Sequence, residues 1–191
     1  MVGNTANFSK MDVLRCFLRM VKDTGRQELA RDLELGEGTV RTILSSLKTK
    51  KLLDSTKKGH SLSTKGSKAL NGVLKNIKVM KEAATKEIYP NAKKVAILLR
   101  NAPNLKNLHK LRDIAVKNGA DGALILKFNG KLYAPESGYE KDFRELEKLF
   151  ELEKNDALII AFSLNRKSAE NGALAIASEI SKPLKNFMKK L

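Results

Sequence analysis

The chain has 191 residues, of which 42% are hydrophobic and 30% are charged, and its formal net charge is +16. This length suits one large domain or two small ones, and the hydrophobic content excludes a disordered chain. No apolar run reaches the roughly 18 residues that a membrane-spanning helix needs, and the first residues lack a secretory signal. The single cysteine, Cys16, excludes an intrachain disulfide, so we expect a cytoplasmic protein without a membrane partner.

The positive charge is densest between residues 48 and 68, where seven lysines accompany a single acidic residue, Asp54. A clustered excess of this kind attracts polyanions such as DNA, RNA or an acidic surface. Generally basic surfaces, typical of a Lys-rich proteome, are the alternative. Charge alone separates the two poorly, so the position of the lysines in the fold must decide.

Two helices are predicted at the start of the chain. Apolar residues recur at helical spacing from Met11 to Val21, and Ser9 is a suitable N-cap. A second, shorter helix over 26–35 places Leu29, Ala30 and Leu33 on one face. The segment 36–38 is predicted to be the turn that leads into a third helix.

The third helix, starting near Thr39, is predicted to be amphipathic. At 100° per residue, one narrow stripe contains Val40, Ile43, Leu44 and Leu47. The opposite face carries short hydroxyls flanked by cations, and no Asp or Glu occurs between residues 39 and 53. Such side chains let a helix approach a groove closely and contact phosphates or base edges. The outward-facing residues are Arg41, Thr42, Ser45, Lys48 and Thr49.

A basic hairpin and a fourth helix are predicted next. Residues 52–56 and 60–62 are predicted strands around a turn at Lys57, Lys58 and Gly59, and Ser63 is a suitable N-cap. The order of helix, helix, turn, helix, hairpin and helix resembles the winged helix-turn-helix domains of prokaryotic transcription regulators. In that family the third helix enters the major groove and the wing lies along the backbone or minor groove.

The resemblance implies a role for ten residues. Arg41, Thr42 and Ser45 become candidates for base-edge contacts, and Thr39, Lys48 and Lys50 for phosphate contacts. Lys57, Lys58 and His60 would lie on the wing, and Arg26 could also meet a phosphate. Some winged helices bind protein or only dimerise, and that alternative stays open. The basic helix face together with the basic hairpin favours nucleic acid.

The second half predicts an α/β domain over 77–191, after a winged-helix domain over 1–76. Buried strands are predicted at 95–100 and 157–162, a hairpin around Asn129 and Gly130, and a strand near Ile77. Helices are predicted after Asn104, around Phe143 to Phe150, and over 168–180. The order is β-β-α-β-β-α-β-α, so the predicted class is α+β, with a C-terminal two-layer α/β sandwich on a mixed or antiparallel sheet.

This half also resembles a known domain through its segments 119–123, 155–160 and 172–175 and the hairpin that reaches Pro135. These segments look like the GAD domain, an insert in bacterial-type aspartyl-tRNA synthetases and in a subunit of some tRNA amidotransferases. The similarity covers about residues 95–180 and transfers no site residue. The two halves together resemble a family of uncharacterised archaeal two-domain proteins. The chain has no synthetase catalytic core, so the resemblance does not imply aminoacylation.

One anion site is considered in the second half. The segments after two predicted strands lead into helices, and Arg100, Asn101 and Arg166 are the residues that could hold an anion or ligand there. No Gly-rich phosphate motif occurs, and ordinary strand-to-helix loops are the favoured alternative. His60, His109 and Cys16 show no metal-ligand spacing, so we expect no metal, no cofactor and no enzymatic activity.

The sequence therefore predicts a DNA-binding transcription regulator. The winged helix would read double-stranded DNA, and the second domain would supply homodimerisation, sensing of a small-molecule effector, or both. One alternative is an RNA- or tRNA-associated protein, suggested by the GAD-like half. A second alternative is an enzyme or sensor that binds an anionic metabolite.

Overall fold

The computed structural model describes residues 8–22, 24–56, 59–83, 89–103, 105–135 and 142–191. The fold is α+β, as the sequence predicts, with helices and antiparallel sheets. Two compact units are present: Met1–Val73 together with Phe187–Leu191, and Leu74–Asn186. The domain limit at residue 76 stays a prediction, and the last five residues group with the first unit. No helix within these ranges is both long enough and apolar enough to cross a membrane.

The first unit begins with three helices. Ser9 caps the first through a capping box, because its hydroxyl accepts the Asp12 N–H while the Asp12 carboxylate accepts the Ser9 N–H. This helix ends earlier than predicted, so Val21 lies beyond it and is 67% exposed instead of buried. The helices are α1 (Lys10–Leu18), α2 (Arg26–Leu33) and α3 (Glu37–Thr49).

The third helix starts two residues earlier than predicted, because Gly36 and not Gly38 is its N-cap. Its apolar stripe is confirmed: Val40, Ile43, Leu44 and Leu47 are all buried. The stripe packs against α1 and α2. The outward direction of the remaining α3 side chains is fixed by this packing, since one face of the helix is fully used by the core.

A two-stranded antiparallel hairpin and a fourth helix complete the first part of the chain. The hairpin pairs β1 (Leu53–Thr56) with β2 (Gly59–Leu62), and α4 (Thr64–Leu74) follows. Gly59 has a φ of +132°, and a Cβ there would lie 3.1 Å from the carbonyl oxygen of Thr24. The predicted cap is confirmed, since Ser63 Oγ accepts the Gly66 N–H at 2.9 Å.

The second unit is built on a five-stranded antiparallel sheet with the strand order β3-β4-β7-β5-β6. The predicted strands are confirmed, and the tight turn at Asn129 and Gly130 connects β5 to β6. Its elements are β3 (Ile77–Glu82), β4 (Lys93–Leu99), α5 (Leu108–Lys117), β5 (Gly122–Phe128), β6 (Leu132–Tyr133), α6 (Arg144–Glu147), β7 (Ala157–Ser163), α7 (Arg166–Ile180) and the first part of α8 (Lys182–Lys190).

Over its central strands, both faces of this sheet are buried. The helices α5 and α7 pack together and against β4, β5 and β7. A Cβ at Gly172 would lie 2.5 Å from the Ala120 Cβ, so the glycine permits this close packing. The other face forms an apolar cluster that includes Leu98, Leu158 and Ile160, and it is covered by Phe143, Leu146 and Phe150.

Two helix predictions for this unit need correction, and a third helix was not predicted. The predicted amphipathic helix around Phe143 to Phe150 is a single turn, and Leu149 is 37% exposed. The helix predicted after Asn104 begins at Leu108, while Asn104 itself lies outside the described residues. No element is predicted for the stretch that forms the final helix α8.

Candidate nucleic-acid interface

The outer face of α3 presents the polar residues that the sequence predicts. Arg41, Thr42, Ser45 and Lys48 are all exposed, and Thr39 is half-buried. Neither Arg41 nor Lys48 forms an ion pair with any described residue. Both cations are therefore available to a partner without first breaking an internal contact.

A groove runs along one flank of α3 and brings residues from three elements together. It has a volume of about 300 Å³ and lies between the first residue of α2, the flank of α3 and the first residues of β2. Its lining is Arg26, Arg41, Leu44, Ser45, Lys48, Gly59 and His60. Five of the ten predicted nucleic-acid-binding residues thus line one surface, although they are up to 34 positions apart in the chain.

The groove is basic, with one acidic side chain at its edge. Arg26 pairs with Glu37, with 3.5 Å between Nε and the Glu37 carboxylate. The sequence has no Asp or Glu between residues 39 and 53, but α3 begins at Glu37, two residues before the predicted start. Arg26 is therefore partly neutralised, and a phosphate there would compete with the Glu37 carboxylate.

His60 stands next to these cations. Its half-buried ring has a pKa below the ordinary value of 6.5, chiefly because burial disfavours the charged form and further because of Lys48 and Arg26. Its Nδ1 atom is buried and has no hydrogen-bond partner among the described residues. His60 therefore contributes a neutral ring to the groove at pH 7, and a phosphate would be needed to stabilise its charged form.

The hydroxyl groups of α3 are less free than the sequence suggests. Thr42 Oγ1 donates to the Gly38 carbonyl oxygen and Thr49 Oγ1 to the Ser45 carbonyl oxygen, each at 3.1 Å. These bonds to the preceding turn use the hydroxyl protons, so the two side chains offer a methyl group and an acceptor. Ser45 makes no such side-chain bond within the described part of the chain, so its hydroxyl can still donate.

Lys50 is not among the residues that line the groove. Lys50 is half-buried, and its ammonium group donates to the Lys190 carbonyl oxygen at 3.0 Å. Lys57 and Lys58 lie outside the described residues, so their part in the wing stays a prediction. No local pattern predicts the contact between Lys50 and Lys190, because the two residues are 140 positions apart.

The predicted anion site in the second unit is wrong as a single pocket. Arg100 follows β4 and Arg166 opens α7 after β7, but β4 and β7 are antiparallel, with Leu99 opposite Ala157 and Lys93 opposite Ser163. The two arginines therefore lie at opposite ends of the strand pair, about 20 Å apart by strand rise. The predicted site rests only on two strand-to-helix segments, with ordinary loops as the favoured alternative, and the antiparallel pairing keeps these segments apart.

Each arginine of that predicted site is also neutralised. Arg100 is paired with the buried Asp156 and, at 3.0 Å, with Glu153. Arg166 is paired with Glu82 at 3.1 Å. Asn101 is exposed in a left-handed conformation, with a φ of 47°. Arg100 thus serves the structure of its strand end and is not available to an anion.

The possible metal ligands and the single cysteine are two further features of the described residues. No group of three or more His, Cys, Asp and Glu side chains there is placed to hold a metal ion. Cys16 is fully buried, and burial raises the pKa of its thiol to about 12. The thiol therefore stays protonated at neutral pH and packs as a small apolar side chain.

Comparison with known proteins gives a match for each half of the chain. Residues 11–68 match the model of the family described as "PH0730-like, N-terminal domain", and residues 90–180 match "Domain of unknown function (DUF4443)". Among solved structures, the chain is similar to "Hypothetical protein PH0730 from Pyrococcus horikoshii OT3", at 27% sequence identity. That match has a TM-score of 0.74 and covers 94% of this chain and 98% of the other.

No curated protein sequence matches the chain. The matching families and the Pyrococcus structure confirm the archaeal part of the predicted resemblance. Their descriptions name neither DNA binding nor regulation, and the GAD-like character of the second half stays a prediction.

Proposed function

We propose that this chain is a DNA-binding transcription regulator whose first unit acts as a winged helix-turn-helix domain. The observation that carries the proposal is the groove beside α3, in which Arg41, Ser45 and Lys48 of the helix meet Arg26 and His60. The hairpin of β1 and β2 would be the wing. The second unit would supply dimerisation or effector sensing.

The size and chemistry of α3 suit the major groove of duplex DNA. A helix with its side chains is about 10–12 Å across, and the major groove is about 12 Å wide. The exposed residues of α3 combine short hydroxyls, which allow close approach, with Arg41, which can bond two acceptors of a guanine. Ser45 lies between Arg41 and Lys48 on the same face, so one base-edge donor is flanked by two cations.

The charge around the groove favours a polyanion over a neutral protein partner. Arg41 and Lys48 are unpaired within the described residues, whereas Lys22, Lys148 and Lys185 each pair with a glutamate. Unpaired cations that line one surface raise the local potential, and they release counterions when they meet phosphates. Cations that are already paired with a carboxylate raise the local potential less and release fewer counterions.

Fluorescence anisotropy with a labelled mixed-sequence duplex, titrated between 50 and 200 mM salt, tests the proposal. On a mixed-sequence duplex no guanine is fixed opposite Arg41, so Arg41 neutralises a phosphate there as Lys48 does. The double variant Arg41→Ala with Lys48→Ala should therefore reduce the slope of log affinity against log salt by about 2, since each phosphate contact contributes about 0.9. Lys110→Ala with Lys117→Ala removes the same charge from exposed positions of α5 and should leave the slope unchanged.

Two results would reject the DNA function. One is the absence of duplex binding at 50 mM salt, and the other is an equal loss of slope in the groove variant and the α5 variant. A structured RNA that competes better than the duplex would favour the RNA-associated alternative instead.

A further inference from the structure

A second group of lysines lies at the C-terminal end of α3, on residues that the sequence does not connect. Lys50 Nζ donates to the carbonyl oxygen of Lys190 at 3.0 Å, and Lys65 Nζ donates to the carbonyl oxygen of Lys50 at 2.9 Å. Lys189 is the neighbour of Lys190 on α8, and Lys65, Lys189 and Lys190 are exposed. We call Lys50, Lys65, Lys189 and Lys190 the lysine cluster, because the hydrogen bonds of Lys50 and Lys65 join the last turn of α8 to the C-terminal end of α3.

The end of α8 is anchored in the first unit, so this arrangement belongs to that unit's structure. The ring of Phe187 packs on the ring of Phe17, with 4.7 Å between the centroids. Phe187 is 7% exposed and Phe17 is fully buried. An aromatic anchor two residues before Lys189 holds the last turn of α8 in place.

The lysine cluster is not neutralised from within the described chain. None of its four ammonium groups pairs with a carboxylate there. Each ammonium group has three donors, and the bonds of Lys50 and Lys65 use one each, so donors remain for a partner. Lys185 on the same helix differs, since it pairs with Glu179 at 2.5 Å.

The position of the cluster around α3 identifies the kind of partner it fits. At 100° per residue, Lys50 lies about 200° around α3 from Lys48, so the cluster and the groove are on different flanks. A helix seated in the major groove has the phosphates of one DNA strand along each flank. The groove cations would face one strand, and the cluster would face the other.

We propose that the lysine cluster binds the phosphate backbone of duplex DNA on the flank of α3 away from the groove. This inference rests on the proposed DNA-binding function and adds contacts from the last turn of α8. The alternative is a structural role, in which the lysines only offset the negative carbonyl ends of α3 and α8.

The full-length chain with Lys189→Ala and Lys190→Ala tests the inference by anisotropy with the same duplex. These changes keep the Lys190 carbonyl oxygen that accepts from Lys50. The salt slope should fall by about 2, so the affinity lost between 50 and 200 mM salt should shrink by about tenfold. Lys182→Ala with Lys185→Ala, on the same helix and with the same charge change, should keep the wild-type slope.

The arginine variant Lys189→Arg with Lys190→Arg separates charge from structure. It should retain the wild-type salt slope, because phosphate binding needs only the positive charges. One result would overturn phosphate binding by the lysine cluster and leave the proposed function standing. In that result the salt slope is unchanged in Lys189→Ala with Lys190→Ala but falls in Arg41→Ala with Lys48→Ala. A fall of the slope in the arginine variant as large as in the alanine variant would also overturn the cluster. Failure of the wild-type chain to bind duplex would reject both.

Discussion

Gly66 offers a sharp test of the packing that holds the hairpin beside α3. An added Cβ at Gly66 would lie 2.0 Å from the carbonyl oxygen of Leu52 and 3.2 Å from Leu62 Cδ2. The same Leu52 oxygen accepts the Ser63 N–H at 3.1 Å. Gly66→Ala must therefore move α4 away from Leu52 or displace the backbone between α3 and β1.

The size of the effect follows from two opposing terms. Overpacking of this kind costs about 1–3 kcal/mol, and a backbone contact this short belongs at the upper end. Alanine is a better helix former than glycine by about 1 kcal/mol, which offsets part of that cost. We expect Gly66→Ala to lower the free energy of unfolding by about 1–2 kcal/mol.

Gly72 is the matched control, because it lies in the same helix and an added Cβ would meet nothing within 4 Å. Gly72→Ala should raise the free energy of unfolding by about 0.5–1 kcal/mol. Urea denaturation followed by circular dichroism measures both midpoints. A midpoint for Gly66→Ala at or above that of the wild-type chain would refute the reasoning.

Two further predictions concern titrating groups. Because burial and then Lys48 and Arg26 lower the pKa of His60, its ring is neutral at pH 7 in the free chain, and a bound phosphate would raise that pKa. Duplex affinity should therefore rise as pH falls from 7 towards 5, and His60→Gln should flatten this dependence in the anisotropy assay. If the variant keeps the pH dependence of the wild-type chain, the placement of His60 near a phosphate is contradicted. Burial raises the pKa of the Cys16 thiol to about 12, so the thiol should resist a disulfide-exchange reagent at pH 8 in the folded chain and react fully in urea. Rapid labelling of the folded chain would show instead that the thiol is accessible.

Local patterns predicted most elements of the fold. The stripe of Val40, Ile43, Leu44 and Leu47 fixed both the existence of α3 and its outward face, because helical periodicity depends on residues three and four apart. The caps at Ser9 and Ser63 were equally readable, since a cap acts within three residues. Boundaries were less secure, as the early end of α1 and the early start of α3 show.

Sheet order and long-range pairing were not readable in the same way. Arg100 and Arg166 each follow a buried strand, which is all that a local pattern shows. Whether two strand ends meet depends on whether the strands run parallel, and that is decided by the whole sheet. The antiparallel pairing of β4 with β7 separated the two residues and removed the predicted pocket.

The sequence by itself determined the amphipathic α3, the basic hairpin region and the buried strands, because each depends on neighbours within about one helical turn or one strand. The tertiary structure decided which cations stand together. It placed Arg26 and His60 beside Arg41 and Lys48, paired Arg26 with Glu37, and brought Lys190 against Lys50. Contacts between residues so far apart in the chain follow from the packing of the core, which no short stretch of sequence encodes.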